Sequence, residues 1–408
     1  MKFIHSASLG NVAEIRSGVG FPNHLQGRAA GIYPFAKVSD ISKLARTGAS
    51  DLHHATNYIG DAELGLLKTK PFPAETIVFA KIGEAIRQNF RAILKVPALV
   101  DNNVMGVIPN RDLLDPRYLY HHLMSVDMYP LAQSTTVPSI RKSVLEKLEI
   151  PLPPLPDQKR IVAILDQGNE LRTKRRKAIA FLEELIQSIF LDMFGDPAAN
   201  QRGWPTGTVG DLVRKFETGK NVAAGSEGGS KLRVLKVSAV TSGEFNPRES
   251  KPLPAGYTPP LTHMVKAGDL LFSRANTEQL IGAVALVEGE HEGLVLPDKL
   301  WRFAWKDHDR ACPLYIRQLF RQKEFRRQIR ERSSGTSGSM KNISQSSVLS
   351  IECGVPPLDL QKRFSERAAE IDALRSEHRA HLGALDELFT SLQQRAFSGA
   401  LWDQEAAA

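Results

Sequence analysis

Four short stretches concentrate side chains that can read nucleic-acid bases. KIGEAIRQNFR (81–91) holds Lys81, Arg87, Gln88, Asn89 and Arg91, and SIRKS (139–143) holds Ser139, Arg141 and Lys142. RANTEQ (274–279) holds Arg274, Asn276 and Gln279, and SMKN (339–342) holds Ser339, Lys341 and Asn342. Arg and Lys pair with guanine edges and Asn and Gln with adenine edges, while Lys, Arg and hydroxyls hold phosphates. For any one of these residues a solvated surface charge is the competing reading. As groups they predict a DNA-contacting surface. RQKEFRRQIRER (321–332) adds a strongly basic segment, read either as an electrostatic guide or as a solvated helix face.

Catalytic constellations are missing from the sequence. There is no GxxxxGK[ST] phosphate loop, no HExxH and no GxSxG, and GVGFPN (18–23) lacks the third glycine of a dinucleotide fingerprint. NPR (246–248) is not the Asn-Pro-Pro-aromatic tetrapeptide of an amino-methyltransferase. His53–His54 and His121–His122 are adjacent pairs whose members point apart, which argues against a shared metal. Cys312 and Cys353 are the two cysteines, with no ligand-like spacing. The expectation is a chain that catalyses nothing by itself and binds no metal or cofactor.

The net charge of +8 and pI of about 9.4 favour a polyanionic partner, since cations near phosphates release condensed counterions. A merely soluble basic protein is the plainer alternative. No apolar run approaches a membrane span, and MKFIHSASLG lacks the apolar core of a signal peptide, so the cytoplasm is the expected compartment.

Those four stretches sit on a duplicated frame. PPLPDQKR (153–160) and PPLDLQKR (356–363) agree in six letters of eight. Upstream, FAKVSDI (35–41) parallels VLKVSAV (234–240), FPAETIVFAKIGEA (72–85) parallels VKAGDLLFSRANTE (265–278), and LYHHL (119–123) parallels LYIRQL (314–319). A chain of 408 residues is long for one domain, and it reads as two copies of one unit. Each copy opens with short Val/Ile/Phe-rich runs bounded by Gly, Pro and Asn, together with one short helix, at 115–126 and 312–332. This predicts an α/β or α+β head. Trp301 and Trp305 are assigned to its core.

Each copy closes with a long helix. Prolines 153, 154 and 156, and 356 and 357, form stiff leads; Asp157 and Asp359 are expected N-caps, and Gly195 a left-handed C-cap. The predicted boundaries are a head over 1–156, a helix over 157–195, a second head over 196–356, a helix over 357–398 and a tail over 399–408. Ile161, Leu165, Ile179, Leu182, Ile186, Ile189 and Met193 form one heptad seam. Ile371, Leu374, Leu385, Leu388 and Leu392 form the other. The two helices are expected to pair as an antiparallel coiled coil, a rod of about 57 Å at 1.5 Å per residue. Arg172, Arg175, His378 and His381 interrupt the seams. They either fix register or mark a gap where another subunit packs.

Two diverged heads, each ending in a proline-rich lead and a long helix that opens with Gln-Lys-Arg, resemble the specificity subunit of a type I restriction–modification enzyme. LEIPLPPLPDQKRIVAILD (148–166) and VPPLDLQKRFSERAAEIDAL (355–374) carry the resemblance, which covers essentially the whole chain. Asp157 and Leu360 stand where that family usually has Glu. The resemblance implies that each head is a target recognition domain for half of a split, asymmetric double-stranded DNA sequence. It implies a helical spacer that docks two methyltransferase subunits, which carry S-adenosylmethionine and methylate adenine. A separate motor-nuclease subunit would complete the restriction enzyme. The rival reading is a coiled-coil adaptor with protein-binding heads.

Overall fold

The computed structural model describes residues 6–133, 137–196, 199–228, 230–306, 311–335 and 340–401. The chain divides into two compact units. One runs from the N-terminus to Ala178 and takes back the segment from His378 onward; the other is Ile179–Glu377.

In the first unit a five-stranded sheet has the order Ala13–Ser17, Val104–Pro109, Ile77–Ala80, Arg91–Leu94, Asp51–Leu52. All neighbours are antiparallel except the last pair. A three-stranded sheet has Tyr33–Ala36 at its centre, antiparallel to Asn57–Ile59 and parallel to Leu99–Val100. Ser6–Ser8 pairs with Glu149–Pro151. The second unit repeats this plan. Its larger sheet has the order Val213–Thr218, Leu300–Trp305, Leu270–Ser273, Val284–Leu286. Arg233–Leu235 lies antiparallel to Ser250–Pro252 and parallel to Leu294–Val295, and Thr206–Thr208 pairs with Glu352–Gly354. The duplication read from letters is thus a duplication of topology. The central strands IVFA and LLFS are buried along their whole length, which explains their unbroken apolar runs.

The first long helix is Leu155–Phe194 and the second Leu358–Ser398. The first starts two residues before its predicted boundary and the second one residue after, and both start ahead of the aspartates expected as their caps. The carbonyl of Pro154 accepts from Asp157 and Gln158, and that of Pro357 from Leu360 and Gln361. The prolines therefore hold the cap positions, and Asp157 and Asp359 fall in the first turn, where a carboxylate still suits the helix dipole. Gly195 has φ +70, as its C-cap role requires.

Within each unit the two long helices pack antiparallel, and both also lie on the core of their head. In the first unit Ile161, Leu165 and Ala396 join the cluster of Ile77, Met105, Tyr118 and Leu119. In the second, Ile186, Phe190 and Phe194 meet Phe364, Ala368 and Ile371 beside Tyr315 and Phe320. The heptad reading misplaces two leucines. Leu374 and Leu388 face outward, and Arg375 turns inward instead. A straight α-helix drifts by about 20° per heptad against a 3.5-residue repeat, so a seam extrapolated over six turns walks off the contact face.

The expected helix over 312–332 is two helices, Pro313–Arg321 and Lys323–Glu331, separated by Gln322 at ψ 138°. On one straight helix Phe320 and Phe325 would point about 140° apart. The break lets both enter one core, with ring centroids 4.8 Å apart. Trp301 is buried in that core and Trp305 packs against it.

Candidate nucleic-acid interface and partner-docking faces

Two of the predicted stretches meet in each unit. In the first, Ile82, just past strand Ile77–Ala80, bridges to Ser139, and the Lys81 carbonyl accepts from Ile140 at 2.9 Å. In the second, Ala275–Asn276, just past strand Leu270–Ser273, pairs antiparallel with Lys341–Asn342. The same junction is therefore built twice, from stretches about sixty residues apart in the chain. Ser339 lies outside the described residues.

The side chains at the junctions differ. Arg87, Arg141 and Lys142 are exposed in the first unit. Arg87 pairs with Glu84 at 3.0 Å and stacks its guanidinium 3.7 Å over Tyr129. Lys142 lies 3.6 Å from Glu146. Lys81 is half-buried and donates to the Ser17 hydroxyl at 3.0 Å. Burial lowers its pKa, and Asp101 partly opposes the shift.

Asn89 and Arg91 take structural places instead. Asn89 sits in the left-handed region at φ +54, donates to the Val126 carbonyl and accepts from Met128. Arg91 is 1% exposed and gives its guanidinium to Asn89 Oδ1 and the Val126 carbonyl. Burial lowers its pKa to about 9. Arg91 alternates with strand neighbours that all face inward, so its position in a buried strand overrides its chemistry, and it leaves the candidate surface.

In the second unit Arg274 donates from Nε to the Asp298 carbonyl at 2.8 Å, with Asp298 Oδ2 at 3.9 Å. Asn276 donates to Ser273 Oγ and accepts from Thr277. Lys341 and Asn342 are half-buried. Gln88 and Gln279 are exposed.

Gln158 and Gln361, inside the repeated phrase, were not singled out by sequence. Both are fully buried. Gln158 accepts from the backbone of Asp115, the N-cap of helix Pro116–Ser125, and donates to the carbonyls of Leu113 and Pro153. Gln361 accepts from the backbone of Cys312, the N-cap of Pro313–Arg321, and donates to the Pro356 carbonyl. One amide thus joins the start of each long helix to the start of the short helix in its head. An uncharged polar letter kept in a buried phrase was the available signal.

The seam-breaking residues divide by role. Arg172 bonds Asp386 and lies 4.3 Å over the Phe389 ring, and Arg175 bonds His378 at 2.6 Å. With the exposed His381, Arg175 and His378 line an open groove on the first unit whose walls also include Lys174, Leu171, Leu385 and Leu388. Four of the exposed leucines on the long helices obey the duplication offset, whereas Leu191 (40% exposed) has Gln394 as its counterpart. Leu171 (45% exposed) corresponds to Leu374 (49%), and Leu185 (38%) to Leu388 (54%). Each unit therefore presents one leucine of these pairs from each long helix, and the second adds Leu191 at 40% and Phe181 at 68%. No helix among the described residues is long and apolar enough to cross a membrane, and none of their His, Cys, Asp and Glu side chains cluster to hold a metal.

Residues 4–180 match the family profile described as "Type I restriction modification DNA specificity domain". The chain is 24% identical over 295 residues to the type I restriction enzyme MjaVIII specificity subunit of Methanocaldococcus jannaschii, across 68% of each protein. It is 24% identical over 303 residues to the EcoKI specificity subunit of Escherichia coli K12, across 67% of this chain and 62% of that one. Its fold matches the S subunit of the type I restriction–modification system from M. genitalium, with a TM-score of 0.56, 14% identity and 96% of both chains covered. The profile match thus covers residues 4–180, and the curated relatives and the fold neighbour to which the chain is similar are specificity subunits of type I restriction systems.

Proposed function

We propose that this chain is the DNA-reading, non-catalytic component of a type I restriction–modification assembly in the cytoplasm. Each unit reads one part of a two-part, asymmetric double-stranded target. Two methyltransferase subunits dock on the faces marked by Leu171 and Leu388 and by Leu185 and Leu374. They bring S-adenosylmethionine and transfer methyl groups to adenine, and a motor-nuclease subunit joins them for restriction.

The observation that carries the reading is one junction built twice on one topology with different side chains. Arg87, Arg141 and Lys142 stand in the first unit, and Arg274, Asn276 and Lys341 in the second. A shared frame with unlike tips suits two unlike short sequences, and a repeated apolar face suits two copies of one partner. The test is to supply the chain with its methyltransferase partner and map methylated adenines. Two different short sequences at a fixed separation are expected. A single uninterrupted site, or no sequence preference, defeats the proposal, and methyl transfer by the chain alone defeats its non-catalytic part.

A further inference from the structure

The two units differ sharply where the chain leaves the short buried helix of each head. In the first, Pro116–Ser125 is followed by a single turn of 3-10 helix, Tyr129–Leu131, and the segment 126–133 carries one charged residue, Asp127. In the second, Pro313–Arg321 is followed by a further helix, Lys323–Glu331, and the segment 322–335 carries one Lys, four Arg and two Glu.

The extra helix is firmly seated. Phe325 and Ile329 are fully buried beneath it. Arg327 is occupied by Glu324 at 2.7 Å and Glu331 at 2.6 Å. Arg326 is drawn inward and donates to the Gln279 carbonyl at 2.9 Å. That leaves Lys323, Arg330 and Arg332 with no carboxylate partner among the described residues; Lys323 and Arg332 are exposed and Arg330 is half-buried. Lys323 and Arg330 are seven residues apart, hence on one face and about 10 Å apart along the axis.

This helix is tied to the candidate DNA surface from its first half and from the segment that follows it. Arg326 holds the main chain at Gln279, three residues beyond Asn276. Past Arg332, Ser334 bridges to Asn342, and Lys341–Asn342 pairs with Ala275–Asn276. The geometry points to Lys323, Arg330 and Arg332 as a phosphate grip for duplex DNA that the first unit lacks. The inference rests on the DNA-reading role proposed above and adds an inequality to it. The second unit carries more of the sequence-independent, salt-dependent affinity.

Because phosphate contacts are blind to sequence, a random duplex of about 30 base pairs is a sufficient probe for the full chain. The readout is the slope of log affinity against log salt. Replacing Lys323, Arg330 and Arg332 together by Gln leaves Phe325 and Ile329 in place. Each lost contact lowers the slope by about 0.9, so a drop of about two to three is expected. Lys43, Arg46 and Lys70, exposed on the first unit, are neutralised in a matched control that removes the same charge. An unchanged slope in the first variant overturns the grip, as does an equal drop in the control. A flat slope for the unaltered chain overturns the DNA-reading role itself. Far-ultraviolet circular dichroism of both variants shows whether the fold is kept. If the triple variant unfolds, single Gln replacements at Lys323 and Arg332, each expected to lower the slope by about one, decide the matter.

Discussion

At the scale of the residue, side-chain type and side-chain place part company. Arg91 has the chemistry of a base reader and the position of a core residue. His122 has the chemistry of a metal ligand or proton carrier, yet it is buried beside Phe397, with ring centroids 4.9 Å apart and no hydrogen-bond partner for either nitrogen among the described residues. Burial lowers its pKa from 6.5 to about 4; Arg91 adds to the shift and the main chain at Glu149 opposes it. The unfolded chain therefore takes up a proton below about pH 6.5 that the folded chain refuses until about pH 4. The contribution of His122 to stability is full above that window and is lost as pH falls through it. A shift of this size corresponds to about 3 kcal/mol. Urea unfolding followed from pH 7 to pH 4 should steepen through this range, and His122→Leu should flatten it. An identical acid limb in both proteins would show that the ring is not the group responsible.

The buried amides invite a second measurement at the same scale. Gln158→Leu keeps the volume but strands the Asp115 N–H and the carbonyls of Leu113 and Pro153. Unsatisfied buried groups cost about 1–3 kcal/mol each, so a loss of about 3 kcal/mol is expected after partial relaxation. Gln361→Leu should likewise destabilise, because it strands the Cys312 N–H and the Pro356 carbonyl. Unchanged urea midpoints in both variants would contradict the structural role of these amides.

At the scale of the element, the long helices serve two surfaces at once. Their inner faces complete the cores of the heads. Their outer faces expose Leu171 and Leu388 in one unit, and Leu185, Leu374 and Phe181 in the other. Leu171→Asp with Leu388→Asp should leave folding nearly unchanged, since surface substitutions of this kind stay within about 0.5 kcal/mol. It should cut the methyltransferase subunits bound per chain from two to one, read by native mass spectrometry. Leu185→Asp with Leu374→Asp should remove the other. Retention of two partners by both variants would move the docking faces elsewhere. The polar interior of the second unit also belongs to this scale. Arg375 meets Glu183 and Asp372, and Arg317 meets Asp372, between the head and both long helices. Removing one member of a buried ion pair costs about 3–5 kcal/mol. Asp372→Asn is therefore expected to destabilise far more than Glu370→Gln, which alters an exposed carboxylate two residues away. Similar melting temperatures for the two variants would count against a structural role for the network.

At the scale of the whole molecule, duplication is the governing fact. Arg141→Ala and Arg274→Ala should each relax preference in one half of the target while leaving the other half intact, at about 1–3 kcal/mol if the side chain reads guanine. Sequencing of methylated sites would resolve the halves separately. A uniform loss across all sequences would instead make the residue a phosphate contact.

Much of this was legible in the letters. Six matching letters in PPLPDQKR and PPLDLQKR revealed two copies, prolines followed by long amphipathic stretches revealed two long helices, and IVFA and LLFS revealed buried strands. Proline geometry, helix period and hydrophobic runs act over a few residues, so the sequence alone determined the duplication, the class of fold and the polar stretches worth watching. Only the tertiary structure decided which polar side chains are free. Asn89 and Arg91 are spent on the carbonyl of Val126, a residue about thirty-five positions away, and Arg327 is spent on its own helix. It also decided that 81–91 meets 139–143, that Gln158 and Gln361 bind two helices together, and that Leu374 looks outward. Each of these depends on partners distant in the chain, and local periodicity carries no information about where such partners will stand.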